Sequence, residues 1–347
     1  MNPRVSVLMA AYNAAPYVQA AVDSILAQTF AGFELIVVED GSTDATPAIL
    51  AECAQRDARV RLLSLPHAGL CTALNRGLAL ARASLVARMD ADDVARPARL
   101  AKQVAFMDQH PEVGLCGTWG ELLDARSRIL WRYAVSDAEL RCRQLFETAL
   151  MHPSVMLRPE LVRAVGGYDP DYPTAEDYDL WVRLSEHTQM ANLPEPLLLH
   201  RRHATQVTRV ARADGRGVPV TGRIRLRRLR RLGLEPSAAE MDLHNALGRW
   251  HFEPTAEALE RTDAWLERIR AANEAAGRFP PDVLAEVLAD RWQLACQAAA
   301  RAIGLPALRR YLRAPLARHA RLNAHRWYVF LRSAALGTLG LRPRQRS

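Results

Sequence analysis

Residues 85–97 read LVARMDADDVARP. A short apolar run, Leu85–Met89, meets three carboxylates within four positions, Asp90, Asp92 and Asp93, and then Pro97. A mostly apolar run of this length, broken by Arg88, reads as a buried strand, as in the middle of a parallel sheet. Pro97 is placed to open the next helix at its first turn. In an open α/β sheet, ligands collect beyond the carboxyl ends of the strands. Like charges a few Å apart repel by ~1 kcal/mol in water and several-fold more where water is scarce. Turn and cap chemistry accounts for one aspartate, or two. Three at a strand end favour a hard divalent cation, Mg2+ or Mn2+, held by one or two carboxylates beside phosphate oxygens.

The same alternation extends outward. Val5–Ala11 reads as a first central strand, and Val18, Ala21, Val22, Ile25 and Leu26 then recur at helical spacing. Phe33–Val38 is a second buried strand, ending at Glu39-Asp40-Gly41-Ser42, after which Thr43 or Asp44 can cap a helix through about Gln55. Arg59–Leu65 is a third strand and Leu70–Ala83 a helix. Strands alternating with helices give an α/β fold with an open sheet. Asn13, Asp40 and the aspartate cluster all fall at strand ends. From Val113 the pattern loosens. VGLCGTW and MHPSVMLR read as strands, GGYDP as a turn, Glu176–His187 as a helix, and LPEPLLLHR (193–201) as extended. Residues 209–232 read as a basic linker ending in RIRLRRLRR, and 233–347 as an all-helical, Arg-rich extension.

The chain of 347 residues carries a net charge of +8, unevenly spread. Residues 1–200 have a net of −7 and residues 201–347 a net of +15; after Asp290 there are 12 arginines and no acid. Five scattered cysteines, with no CxxC, read as reduced thiols in a cytoplasmic protein. The opening MNPRVSVLMAAYNAA faintly resembles a signal peptide, but its apolar core is seven residues long and runs into Tyr12-Asn13, so it reads as a strand. No apolar stretch reaches the ~18 residues a spanning helix needs. Without GxGxxG after the first strand, a dehydrogenase is disfavoured; without GxxxxGK[ST], so is a P-loop NTPase.

Four stretches together are specific: LMAAYNAAPYVQAAVDSILAQTF (8–30), VVEDGSTD (37–44), ARMDADDVARPARL (87–100) and AEDYDLWVRL (175–184). In order and spacing they resemble the family 2 glycosyltransferases, over about residues 3–205. The resemblance implies a GT-A fold, a Rossmann-like open mixed sheet flanked by helices. Residues 1–110 would form its nucleotide-sugar half and 111–208 its acceptor half. It implies an inverting, metal-dependent enzyme moving a hexosyl or N-acetylhexosaminyl group from a nucleoside diphosphate sugar, a UDP-sugar first among them, to a glycan or lipid-linked acceptor. By the same resemblance Ala11, Tyr12 and Asn13 line the nucleoside pocket, Asp40 contacts the base, and Asp90 and Asp92 engage ribose and the diphosphate-bound metal, with Asp93 a weaker candidate. Asp177 matches the catalytic base and His203 the late histidine of the metal site. The sequence departs from the pattern at Ala10, where proline is usual, at Glu39, where aspartate is usual, and at Leu74, where many members carry an arginine beside the donor. Arg88 is the candidate to replace that arginine.

Physical reading of the helix Glu176–His187 agrees in part. Glu176, Asp177 and Asp179 suit the positive end of a helix dipole. Asp177 also shares a face with Leu180, Trp181 and Leu184, so it heads the buried stripe and can face a cleft. His152, in MHPSV, reads as structural, with the acceptor pocket as the alternative. A non-catalytic nucleotide-sugar binder or scaffold on the same fold stays open, although it would not need Asp177. For the basic half, Trp327, Tyr328 and Phe330 beside arginine suit a helix on an anionic membrane surface; a solvated basic extension is equally open, and no nucleic acid partner is expected. The location would be cytoplasmic, or peripheral on the cytoplasmic face of a membrane.

Overall fold

The structure is a computed structural model that describes residues 2–123, 129–203, 206, 217–321 and 324–339. Within it the chain divides into two compact units, residues 1–140 with 148–221, and residues 141–147 with 222–347.

The first unit is built on one mixed sheet. Its strands are β1 (Val5–Ala11), β2 (Phe33–Asp40), β3 (Val60–Leu65), β4 (Leu85–Asp90), β5 (Val94–Ala95), β6 (Val113–Leu122), β7 (Leu130–Trp131), β8 (Met156–Leu157) and β9 (Gln189–His200). They lie in the order β3-β2-β1-β4-β8-β6-β9-β5, with β7 on β6. The first four are mutually parallel, and β8 runs antiparallel to β4. The continuous apolar runs divide by the two-residue period of a strand. Val5, Val7, Met9, Leu35 and Val37 enter one core layer, which also takes Val18, Val22 and Ile25 of α1 (Val18–Leu26). Leu8, Ile36 and Val38 enter the other, with Leu74 and Leu78 of α3 (Leu70–Leu80). Gly77 of α3 lets that helix approach closely: a Cβ there would lie 2.1 Å from Leu8 Cδ1.

Polar residues inside this sheet are paired. Glu34 of β2 accepts from Ser6 Oγ at 2.7 Å, from Arg61 Nη1 at 2.7 Å and from Arg82 Nη2 at 2.8 Å. Burial alone would raise its pKa, but these donors together hold it down at about 2. Arg99, at the start of α4 (Arg99–Gln109), is wholly buried and donates to the Arg88 carbonyl at 2.7 Å. Gln103, one turn on, donates to the carbonyls of Cys116 and Ser154, both at 2.9 Å. These bonds fasten α4 beneath the end of β4; later in the chain come two short helices, α5 (Asp137–Arg143) and α6 (Pro159–Ala164).

Several local expectations are corrected. The helix after β4 begins at Arg99 with Ala98 as N-cap, so Pro97 precedes it; the Pro97 carbonyl instead accepts from Thr29 N at 2.9 Å. The helix after β2 is α2 (Thr46–Arg56), whose N-cap is Ala45 without a side-chain bond. Asp44 still accepts from Thr46 N at 2.9 Å. MHPSVMLR forms a 3₁₀ turn, His152–Ser154, before the two-residue β8. Pro153 has no N–H for a ladder, which is why the strand starts late.

The second unit is helical among the described residues. Its helices after the first unit are α8 (Gly217–Arg230), α9 (Ala238–Gly248), α10 (Ala256–Ala276), α11 (Pro281–Ile303), α12 (Leu305–Arg313) and α13 (Ala324–Thr338). α8 occupies much of the stretch expected to be a linker, because Ile224, Arg225, Arg228 and Leu229 are buried on it; residues 209–216 of that stretch lie outside the described residues. Trp265, Trp292, Leu288 and Phe330 form the core together with Phe146. His244 is buried, with Nε2 2.8 Å from the Leu145 carbonyl and Nδ1 accepting from Trp265 Nε1 at 3.1 Å. Burial lowers its pKa to about 3, so it is a neutral structural bridge. All five cysteines are buried, and none forms a disulfide among the described residues. No helix among the described residues is long and apolar enough to cross a membrane.

Candidate functional site

The strand order puts the carboxyl ends of β2, β1 and β4 side by side, with Ala11 opposite Glu39 and Ala10 opposite Asp90. At the β1 end, Asn13 takes φ 49°, a left-handed conformation that asparagine tolerates. Its Oδ1 accepts from Thr43 N at 2.9 Å, and its own N–H donates to Ser42 Oγ at 3.0 Å. The loops after β1 and β2 are thus locked together. Asp40 is buried, and its carboxylate accepts from Ala68 N at 2.9 Å and Gly69 N at 3.0 Å. His67 Nδ1 lies 2.9 Å from Asp40 Oδ2. Gly41 at φ 71° makes this possible, since a Cβ would sit 2.4 Å from His67 N. Tyr12 stacks on His67, with ring centroids 4.1 Å apart, and is half exposed. The result is an open aromatic shelf over a buried carboxylate.

Among the described residues, Asp90, Asp92 and Asp93 bring ligand atoms within 4.8 Å of one another. They are not equivalent. Asp93 is fully buried and accepts from Arg201 N at 2.9 Å, with His200 Nδ1 3.0 Å from its Oδ1. Gln206 Nε2 approaches His200 Nε2 at 3.4 Å, so the Nδ1 proton points to Asp93. Burial pushes the Asp93 carboxyl up to about 6, against the pull of His200. Asp93 is therefore spent on holding the end of β9. Asp92 points the other way: its Oδ2 is 2.8 Å from His203 Nε2. Burial, and then the charge of Asp90, raises its pKa. Tyr17 backs His203 at 4.8 Å between ring centroids, and Arg201 lies over the other ring neighbourhood, 5.0 Å from the Tyr17 centroid.

Asp90 is paired with Arg88 from beneath. Arg88 is 3% exposed, so it meets Asp90 inside the protein, and the role of a surface arginine reaching a donor does not suit it. Leu74, where that arginine was missing, is wholly buried. The Arg88 charge also acts on Glu176 and Asp177, drawing both pKa values down against burial. Both nevertheless end raised, Glu176 to about 7, with burial first and Asp177 second among the causes. These two residues open α7 (Glu176–Leu184). Asp177 is half-buried and accepts from Thr148 Oγ1 at 3.3 Å and from Tyr178 N at 2.7 Å. The one-face argument for α7 was too narrow: Asp179 is also wholly buried, paired with Arg183 at 2.7 Å. His152 is buried with Nε2 2.9 Å from Tyr168 Oη and Nδ1 3.8 Å from Glu176 Oε1. Burial, then Arg88, lowers its pKa. It is a neutral support under Glu176.

The carboxylate–imidazole pair of Asp92 and His203, with Asp90 adjacent, fits a hard or borderline divalent cation such as Mg2+ or Mn2+. Asp177, raised and half-buried, can accept a proton. His67, Tyr17, Thr148, His200 and Arg201 were not singled out in the sequence. His67 follows the end of β3 and had a positional signal. His200 and Arg201 depend on the pairing of β5 with β9, Val94 opposite Leu199, a contact across about a hundred residues that no local pattern announces.

A family model described as glycosyl transferase family 2 matches residues 6–158. An uncharacterized glycosyltransferase of Haemophilus influenzae is 31% identical over 220 residues, covering 60% of this chain and 68% of that protein. The O-antigen biosynthesis glycosyltransferase WbnJ of Escherichia coli is 32% identical over 204 residues, 57% of this chain and 80% of that one. Among solved structures, S. aureus TarS 1–349 in complex with UDP-GlcNAc aligns with a TM-score of 0.57 at 17% identity, covering 99% of this chain and 93% of that one. That likeness is one of fold.

Proposed function

The chain belongs to glycosyltransferase family 2, with the GT-A fold, and from that premise we propose that it transfers a sugar, with inversion, from a nucleoside diphosphate sugar to an acceptor hydroxyl. The observation that carries this reading is the joining of two acidic groups through one buried cation: Arg88 pairs with Asp90 and its charge reaches Glu176 and Asp177.

In this reading the Tyr12–His67 shelf stacks the base. Asp40 spends acceptor sites on loop 67–69, and a carboxylate has about four, so one is left for the ring N–H of uracil. Thymine and guanine offer a ring N–H too, so this acceptor does not choose the base; a UDP-sugar, carrying a hexosyl or N-acetylhexosaminyl group, is the donor proposed first. Ala11 and Asn13 shape the floor beneath the nucleoside. Asp92 and His203, with Asp90 beside them, would hold Mg2+ or Mn2+, which when bound supplies Lewis acidity at the departing diphosphate. Asp93 fixes His200 and Arg201, keeping the end of β9 against the cluster.

Asp177 takes the acceptor hydroxyl proton as the oxygen attacks the anomeric carbon. The new C–O bond forms on the face opposite the breaking bond to the diphosphate, so configuration inverts and no covalent enzyme intermediate is needed. Thr148 and Tyr178 N orient the carboxylate, and Glu176, kept partly protonated near neutral pH, limits repulsion beside it. The acceptor is a glycan or lipid-linked glycan, in keeping with the O-antigen role in the name of WbnJ.

Nucleotide release from a panel of donor sugars, with acceptor mimics and Mn2+, tests the proposal. Asp177→Asn is expected to lower turnover by about 10²–10⁴-fold while nucleotide binding and melting temperature stay near wild type. Turnover within a few-fold of wild type would refute Asp177 as the base.

A further inference from the structure

The second unit carries a surface that the transfer chemistry does not use. α13 buries Phe330, Ser333 and Ala334 on one face. Its opposite face repeats Ala324, Tyr328, Leu331 and Ala335, with Leu339 just past the end, at spacings of 4, 3, 4 and 4 residues. This stripe is in solvent: Tyr328 is 61% exposed, Leu331 50% and Leu339 69%. A helix on an aqueous surface ordinarily places polar residues there. Arg332, one turn beyond Tyr328, borders the stripe and is exposed.

α12 lies alongside, in the opposite direction. Leu305 N donates to Thr338 Oγ1 at 2.9 Å at one end, and Tyr311 packs on Trp327 at 5.5 Å and on Phe330 at 5.4 Å at the other. It exposes Leu312, at 60%, beside exposed Arg309 and Arg313. Acids that meet this region's arginines come from upstream: Glu260 pairs with Arg310, Glu286 with Arg321 and Asp290 with Arg326. The sequence after Asp290 supplies none, and residues 340–347, outside the described residues, add three more arginines. By contrast, part of the charge in RIRLRRLRR is internal, since Arg225 donates to the Phe146 carbonyl at 2.6 Å and Arg228 to that of Arg141 at 3.1 Å.

We infer that Tyr328, Leu331 and Leu339, with Arg309, Arg313 and Arg332, dock the protein on an anionic lipid bilayer, α13 lying in the plane of the interface. Apolar side chains enter the acyl boundary while guanidinium groups meet phosphates. At 15 residues α13 is ~22 Å long, too short to span. A second copy of the chain is a poor occupant, because it would set arginines against arginines. The inference goes beyond the transfer reading and needs neither donor nor acceptor.

The test is flotation of the full chain with vesicles of phosphatidylcholine alone or mixed with phosphatidylglycerol. Recovery is expected with the mixed vesicles only, falling as salt rises. Leu331→Glu, and separately the triple change Arg309→Glu, Arg313→Glu, Arg332→Glu, are each expected to cut partitioning about tenfold or more, with unchanged melting temperature, all positions being exposed. Equal recovery on neutral and anionic vesicles, no recovery on either, or variants that float like wild type would overturn the inference. So would light scattering that shows a dimer dispersed by Leu331→Glu while flotation is unaffected.

Discussion

At the scale of single residues, the site is governed by how much charge each carboxylate is allowed to keep. Asp93 and Asp92 differ by one position, yet one is consumed by the end of β9 and the other faces His203. The resemblance already ranked Asp93 below Asp92, but the physical reason, its burial against the end of β9, comes from the fold. Asp90, Asp177 and Asp40 were legible because strand ends and the head of a helix are positions that a pattern can locate. The buried partners were not, since nothing local says that Arg88 turns inward to Asp90 or that His152 stands under Glu176. The same burial makes a kinetic prediction. An ordinary aspartate has a pKa of 3.8, and both Asp177 and Glu176 are raised by burial, Glu176 to about 7. If Asp177 is the base, as proposed, it must be ionised to accept a proton, so activity is lost as pH falls through the raised values. The acid limb of kcat/KM is therefore expected well above pH 3.8, and a flat profile down to pH 4 would contradict a buried base.

At the scale of elements, β1, β2 and β4 were readable because each is a mostly apolar run that is almost wholly buried, whereas β3, only partly buried, was readable from its place in the strand–helix alternation. β8 was not, for Pro153 removes a ladder donor and the strand shrinks to Met156–Leu157. α7 misled in another way: a helix enclosed on several sides has buried acids off its apolar stripe, as Asp179 shows. Inside β2, Glu34 ties β1, β3 and the residue Arg82 after α3 through three donors. Its pKa in the fold, about 2, lies below the ordinary 4.5. The stability it lends is thus complete above about pH 4.5 and is lost as pH falls toward 2. Glu34→Gln is expected to destabilise by ~2 kcal/mol near neutrality, measured by denaturant unfolding. The difference from wild type should shrink on acidification, and a constant difference from pH 7 to pH 3 would argue that the ion pairs do not contribute.

At the scale of the molecule, composition announced two environments, an acidic first part and a basic second, and the contact pattern likewise gives two compact units. What composition hid is that the second unit takes residues 141–147 from the middle of the first and builds Phe146 into its core. Trp292 is wholly buried in that core, so Trp292→Ala is expected to cost ~3–5 kcal/mol of unfolding stability; a loss under 1 kcal/mol would mean that the core is not packed as described. The proposed function rests on the other unit, where Asp90, Asp92 and Asp93 cluster at a strand end and, in that proposal, meet a cation and a diphosphate. The most direct test is anomalous diffraction from crystals soaked with Mn2+ and UDP. A peak bonded to Asp92 and His203, absent in Asp92→Asn, is the expected result; a peak elsewhere in the chain, or none with UDP bound, would contradict it.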